Sequence, residues 1–323
     1  MSKGSESKTI QKPLVAIGIP VYNGDKYIIE ALESVSKQTH DNFECYIVNN
    51  ASTDGTRELV TDYIKDKKRF KLYNYTDFVD IDSNWNRTVD HIPVGAKYFK
   101  VMQADDIIFP KSVKTMVDLM EKYPEAGIAS SYRLINTRLE GYGADYFQGN
   151  LLNGKEVLLK HLLGQIELTG TNTQNLYRIE TLKRLTFFPK IFLSDDLHTD
   201  ARLAYELYLI SDLAFAFDIL SLTRRHSESE TSTVVDILNT QLHGEEFRLH
   251  RFKEIFPEIE DKYKEVRRKY AYFLFKSYLK NNRECIKWHN KHLKRKIKLS
   301  EYIAGVFWQN RFGLKLAKLL KKR

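Results

Sequence analysis

The sequence predicts an α/β fold, a mostly parallel sheet flanked by helices with a basic helical C-terminal extension, and three observations carry that expectation. From Leu14 onward, short apolar runs alternate with amphipathic helical segments, the pattern of strand-helix-strand units. Beyond about Thr240 the pattern is helical to the end. Charge is also divided unevenly: residues 262–323 hold 20 Lys and Arg against 3 Glu, net +17, while residues 1–261 are net −8. Such a division points to two tasks, one chemical and one concerned with location.

Residues 1–12 are polar and expected to be disordered. A catalytic domain is expected over 13–240, with halves 13–131 and 132–240, followed by a helical basic region over 241–323. Leu14 to Ile19 reads as a first buried strand. A helix from about Lys26 to Gln38 follows, because Tyr27, Ala31, Leu32 and Val35 share a face. Glu44 to Val48 is the second strand, and the turn Asn50 to Gly55 starts the next helix with Asp54 as a candidate N-cap. Phe70 to Tyr75 is the third strand. A polar segment with Asn84, Trp85, Asn86 and Arg87 precedes a fourth strand, Tyr98 to Met102, which runs directly into Gln103-Ala104-Asp105-Asp106. Pro110 opens a helix to Tyr123, and Gly127 to Ser131 is the fifth strand. The pattern then loosens through Gly141, Gly143 and Gly149 before a helix near Lys155 to Leu163. Thr199 to Leu209 is amphipathic, and Leu213 to Leu222 is a strand leading into Thr223-Arg224-Arg225-His226.

Composition removes several function classes. Apolar residues at 42% and aromatics at 12% suffice for a globular interior and argue against a disordered chain. No apolar stretch approaches the roughly 20 residues of a membrane-spanning helix, and the N-terminus has no signal-peptide core. Cys45 and Cys285 have neither metal-ligand spacing nor a disulfide framework, so a reducing, cytoplasmic setting is expected. No G-x-G-x-x-G follows the first strand and no G-K-[ST] occurs, which argues against a Rossmann dinucleotide site and a P-loop. Tyr270, Tyr272, Phe273, Phe275 and Tyr278 recur at helical spacing, as core positions do, so no nucleic-acid partner is expected despite the basic tail.

Ligands of open α/β sheets sit beyond the carboxyl ends of the strands. Four strand-end stretches therefore stand out: Pro20-Val-Tyr22-Asn23-Gly24, Asn49-Asn50-Ala-Ser52-Thr-Asp54-Gly55, Gln103-Ala104-Asp105-Asp106, and Arg224-Arg225-His226. Two adjacent acids repel one another, and a divalent cation removes that cost. Oxygen ligands suit Mg2+ or Mn2+ bridging a diphosphate.

The first three of these stretches, taken in order as Val15 to Asn23, Asn49 to Thr56 and Ala104 to Asp106, resemble family 2 glycosyltransferases. The resemblance covers roughly residues 14–226. It implies a GT-A fold, a nucleotide-sugar donor, a divalent metal and inversion at the anomeric carbon. Carried over by position, it places Pro20, Tyr22 and Asn23 along the nucleotide cleft with Ala104 and Asp105, sets Asn50 toward the base, and has Asn84 to Arg87 close the cleft. Asp105 becomes the metal-binding acid, helped by Asp106, His226 or water, and Arg225 with His226 meets the diphosphate. Gln103 stands where the family's first metal-loop acid would be, and Asn50 where an acid usually reads the base. Asn50 is expected to accept from N3–H of a pyrimidine, so UDP or dTDP is the expected carrier. The catalytic base is placed at Asp200, the acid before Leu203 to Leu209, with Asp195 and Asp196 as rivals.

The expected activity is therefore metal-dependent transfer of a sugar to a glycan or lipid-linked acceptor in surface polysaccharide or glycoconjugate assembly. A non-catalytic nucleotide- or carbohydrate-binding protein on the same fold is the alternative that Gln103 keeps open. Ile303, Val306, Phe307, Trp308, Leu316, Leu319 and Leu320, interspersed with Lys, fit two expectations equally, a peripheral contact with an anionic membrane surface or a helical subdomain packed on the catalytic domain with a solvated Lys face.

Overall fold

The computed structural model describes residues 12–193, 199–226 and 240–279, with the single positions 287, 300 and 303. Asp195 and Asp196 lie outside these residues, as do Cys285, the N-terminal residues 1–11 and the apolar, Lys-rich stretch from Val306 to Leu320. Met1–Leu158, Ile166–Leu193 and Asp200–Arg224 form one compact unit, and Leu159–Gln165, Ser194–Thr199 and Arg225–Arg323 another, each taken over its described residues.

In chain order the elements are β1 (Val15–Val21), α1 (Ile28–Ser36), β2 (Phe43–Asn50), α2 (Thr56–Ile64), β3 (Phe70–Tyr75), α3 (Ile81–Asp90), β4 (Tyr98–Val101), β5 (Ile107–Ile108) and α4 (Ser112–Lys122). They continue with β6 (Ala126–Ile135), β7 (Arg138–Glu140), β8 (Leu151–Leu152), α5 (Gly154–Leu162), β9 (Leu176–Arg178), α6 (Ile179–Leu182), α7 (Thr199–Ile210) and β10 (Asp212–Thr223). The second unit carries α8 (Thr240–Phe252) and α9 (Glu260–Leu279). The sheet runs β3-β2-β1-β4-β9-β6-β10-β5, with β7 on β6 and β8 on β10. The long pairings, β1 with β2 and β4, β2 with β3, and β6 with β10, are parallel. The short ones are antiparallel, including β9, which is wedged between β4 and β6.

β1 is buried along its whole length, as a strand covered on both faces must be. Val15, Ile17, Ile19 and Val21 face one core with Ile28, Ala31, Leu32 and Val35 of α1 and Val113, Met116, Val117 and Met120 of α4. The alternate residue Gly18 faces α3, where a Cβ would stand 2.8 Å from Thr88 Cβ and 3.1 Å from the Tyr46 ring. Tyr46 in turn donates to the Thr88 carbonyl at 2.8 Å. Gly18 thus sets how closely α3 approaches the sheet. Replacing it with Val is expected to cost about 1–3 kcal/mol by overpacking, read as a lower midpoint in chemical denaturation.

The segment around Asn84 is a helix where the sequence reads only a polar stretch. Asp80 caps it, its carboxylate accepting from the Ser83 amide at 2.8 Å, and its buried face is Asn84, Trp85, Thr88 and Val89. Two of those four are polar, which hides the helical period. β5 and β9 are also additions: two or three residues are too few to show a strand period, and β6 extends to Ile135 rather than ending near Ser131. The cap of α2 falls on Gly55, with Asp54 accepting from the Thr56 amide at 3.0 Å. Among the described residues no helix is long and apolar enough to cross a membrane.

Candidate active site

The carboxyl ends of β1 and β2 lock together through their loops. Asn23, at φ 49°, and Ala51, at φ 56°, take left-handed backbone positions, the first of a type Asn tolerates well. The Asn23 amide donates to Ser52 Oγ at 2.9 Å, the Thr53 amide to Asn23 Oδ1 at 2.8 Å, and the Gly24 amide to Thr56 Oγ1 at 2.8 Å. Asn23 is therefore a loop organiser. Pro20 is buried, while Tyr22 is 48% exposed. Tyr22 meets the ring of Phe78, itself 62% exposed, edge-on with centroids 4.8 Å apart. Two large exposed aromatics in contact form a surface suited to a flat ring.

Asn50 lies at the end of β2 and is buried. Its amide pairs with the backbone of Val79, donating to the carbonyl at 2.8 Å and accepting from the N–H at 3.0 Å. Arg87 Nη1 donates to the same Oδ1 at 3.1 Å and to the Asp77 carbonyl at 3.2 Å, and Arg87 also pairs with the Asp77 carboxylate. The Arg87 guanidinium lies 3.9 Å from the centroid of the Tyr75 ring. Both lone pairs of Asn50 Oδ1 are thus occupied, so the acceptor role toward N3–H is taken in this arrangement and one N–H of the amide is left to donate. Asn50 and Arg87 brace the 77–79 loop that presents Phe78. Asn84, one turn before Arg87, is packed inside α3's buried face. Trp85 packs inward, its ring 5.3 Å from that of Phe192.

Beyond β4, Ala104 approaches Gly24, where a Cβ would stand 3.9 Å from its own. Asp105 is half-buried and Asp106 is 1% exposed. Asp106 accepts from the Arg224 amide at 3.0 Å and from the Thr223 hydroxyl at 3.5 Å, and also takes a hydrogen bond from Thr173. Burial, and then the charge of Asp105 beside it, push its carboxyl up to about 7. Asp106 is thereby turned inward as a tie between β4 and β10, and Asp105 remains the carboxylate at the loop surface. Arg224 pairs with Glu30, lies 5.0 Å from the centroid of the Tyr27 ring, and senses the charge of Asp105.

Asp200 stands in the first turn of α7 and accepts from the Ala201 amide at 2.8 Å. Its charge reaches the buried Tyr177 of β9, whose hydroxyl burial raises above its usual range, with Asp200 adding to the rise. Tyr177 donates to Asn172 Oδ1 at 2.8 Å. Arg225 is exposed and His226 half-buried, both following β10 directly in the chain. Phe78 and Lys100 are the site-forming residues that sequence reasoning passed over, while Arg224 was singled out in its strand-end stretch without a role of its own. Lys100 did carry a signal, a charge in the middle of the apolar run Tyr98 to Met102.

Residues 16–186 match the profile of the family described as Glycosyl transferase family 2, more than half of the chain. The chain belongs to this family. An uncharacterized glycosyltransferase of Rickettsia prowazekii (strain Madrid E) is 26% identical over 236 residues, 72% of this chain and 70% of that protein. Among solved structures, the fold resembles residues 1–349 of Staphylococcus aureus TarS in complex with UDP-GlcNAc, with a TM-score of 0.55, 16% identity, and coverage of 91% of this chain and 79% of that one. It also resembles mannosyltransferase PcManGT from Pyrobaculum calidifontis in complex with GDP-Man and Mn2+, with a TM-score of 0.52, 17% identity, and coverage of 75% and 64%. The GT-A architecture expected of a family 2 glycosyltransferase is thus the one the chain adopts.

A divalent cation is the group this family membership brings into question. Among the described residues no three His, Cys, Asp or Glu side chains come together as a metal cage. With Gln103 uncharged and Asp106 engaged by β10, Asp105 is the surface carboxylate of the loop. One carboxylate fits a Mg2+ or Mn2+ ion that takes its other ligands from a diphosphate and water.

Proposed function

We propose that the chain transfers a sugar, with inversion, from a UDP- or dTDP-linked donor to a hydroxyl of a glycan or lipid-linked acceptor, and that Mg2+ or Mn2+ enters with the donor. The observation that carries this reading is the convergence at one sheet edge of the Tyr22–Phe78 aromatic pair, the Asn50–Arg87 brace and the Asp105 loop. The solved complexes with UDP-GlcNAc and with GDP-Man and Mn2+ support a nucleotide-sugar donor in this fold.

In this reading the aromatic pair stacks on the base, and the remaining Asn50 N–H meets a carbonyl oxygen of a pyrimidine. Asp105 holds the cation at the diphosphate, and bound there the cation supplies charge neutralisation for the departing nucleotide. Asp200 takes the proton from the acceptor hydroxyl as its oxygen bonds to the anomeric carbon, and the carbon–oxygen bond to the diphosphate breaks on the opposite face.

A panel of nucleotide sugars, each with and without Mn2+, tests this by thermal shift and by donor hydrolysis. One donor is expected to stabilise the protein only with metal present, by about 2.7 kcal/mol at 100 times its dissociation constant, and to release free sugar slowly. No stabilisation by any donor overturns the donor assignment. Stabilisation without hydrolysis or transfer favours the non-catalytic binding reading instead.

A further inference from the structure

Lys100 sits in β4 with no exposed surface, an uncommon place for a lysine. Its head group donates to the carbonyl of Thr173 at 2.6 Å and to that of Asn175 at 2.9 Å, gripping the middle and the C-cap of a buried 3₁₀ turn, Asn172–Gln174. That turn reaches in two directions. Thr173 Oγ1 accepts from the Gln103 amide at 3.0 Å and hydrogen-bonds Asp106, so the loop bearing Asp105 rests on it. Asn172 and Asn175 hold the Tyr177 hydroxyl at 2.8 and 3.3 Å, and Tyr177 senses the charge of Asp200. Asp106, in turn, ties the loop to the end of β10 through the Arg224 amide.

We infer that Lys100, acting through the Thr173 turn, is a positioning residue that sets the placement of the Asp105 loop. A lysine suits this task because one head group donates to two inward-facing carbonyls of a turn that has no ladder partner for them, burial lowering its pKa to about 7. A methionine of similar length fills the space and leaves both carbonyls without their donor. In the transferase reading the loops after β1 and β2 hold the nucleoside half of the donor, and the placement of the Asp105 loop bears on the displacement step.

The kinetic consequence rests on the transferase reading, whereas the structural one does not. Two pairs of variants separate them. Lys100→Met and Thr173→Val are expected to raise amide hydrogen exchange at Gln103 and Arg224 by at least about tenfold relative to the centres of β1 and β2, and Thr173→Ser, which restores the hydroxyl, to return it near the wild-type rate. With an active donor–acceptor pair, kcat is expected to fall by about 10–100-fold in Lys100→Met and Thr173→Val while the donor KM stays within about threefold, since a misplacement of about 1 Å can cost about 10²-fold. Lys100→Arg and Thr173→Ser are expected to recover most of kcat. If Lys100→Met does not fold, Thr173→Val and Thr173→Ser carry the same comparison. Unchanged exchange at Gln103 and Arg224, or wild-type kcat in a folded Thr173→Val protein, overturns the inference. If the wild type turns over no nucleotide sugar, the exchange result still decides the positioning role, and only the transferase reading fails.

Discussion

Asp200→Asn is expected to lower sugar transfer by about 10² to 10⁴, or about 2.7–5.5 kcal/mol of transition-state stabilisation, with donor affinity held within a few-fold. The carboxylate stands in the first turn of α7. In the proposed reaction it acts by reach to the acceptor hydroxyl. Asparagine keeps the shape and can still accept from the Ala201 amide, as Asp200 Oδ1 does at 2.8 Å, but it cannot take a proton. The effect therefore separates chemistry from helix capping. Initial rates with saturating donor, set beside calorimetric donor affinity, measure it. Asp195→Asn and Asp196→Asn are the controls: loss of transfer in either, with Asp200→Asn active, moves the base to that residue. Full activity in all three removes the general-base mechanism from this segment.

Asp105→Ala is expected to abolish the metal-dependent part of donor affinity, a loss of at least about 10²-fold in Mn2+, while the melting temperature changes little. The reason lies in the loop. Asp106, not Asp105, makes the buried ties to Arg224 and Thr223 that hold the strand ends together, so removing the Asp105 carboxylate leaves the fold's connections in place. Removing Asp106 does the opposite: a truncated Asp106 leaves the Arg224 amide unsatisfied, at a cost of about 1–3 kcal/mol. Titrating donor into each variant with Mn2+ and with chelator distinguishes the two acids. Metal-dependent affinity that survives in Asp105→Ala places the cation elsewhere.

The contrast between these neighbours shows what a sequence can and cannot carry. The paired acids after the apolar run Tyr98 to Met102 mark a strand-end site on pattern alone, because strand ends of open α/β sheets face the ligand. Which acid faces out is another matter. The parallel half of the sheet was equally legible, since helical periods separate β1 from β2 and β2 from β3, and β3 falls on the expected residues. Helix α3 was not, because half of its buried face is Asn84 and Thr88, whose burial depends on what the sheet and α3 bring against them. Asn50 was singled out as a base reader by the resemblance to the family. Its partners Val79 and Arg87 lie 29 and 37 residues away, and only their approach reveals that its side-chain oxygen is already occupied.

The sequence by itself determined the fold class, the strand-end stretches and the family, because local periodicity and short motifs are carried by residues adjacent in the chain. Tertiary structure decided which member of each motif works at the surface and which is a tie. Asp106 meets Arg224 across 118 positions, and Lys100 meets Thr173 across 73. Contacts at those separations leave no period and no spacing to read. They arise because β9 pairs with β4 and β10 pairs with β5, the strand that follows Asp106, and the cost of burying a charge without partners selects the side chains that meet there.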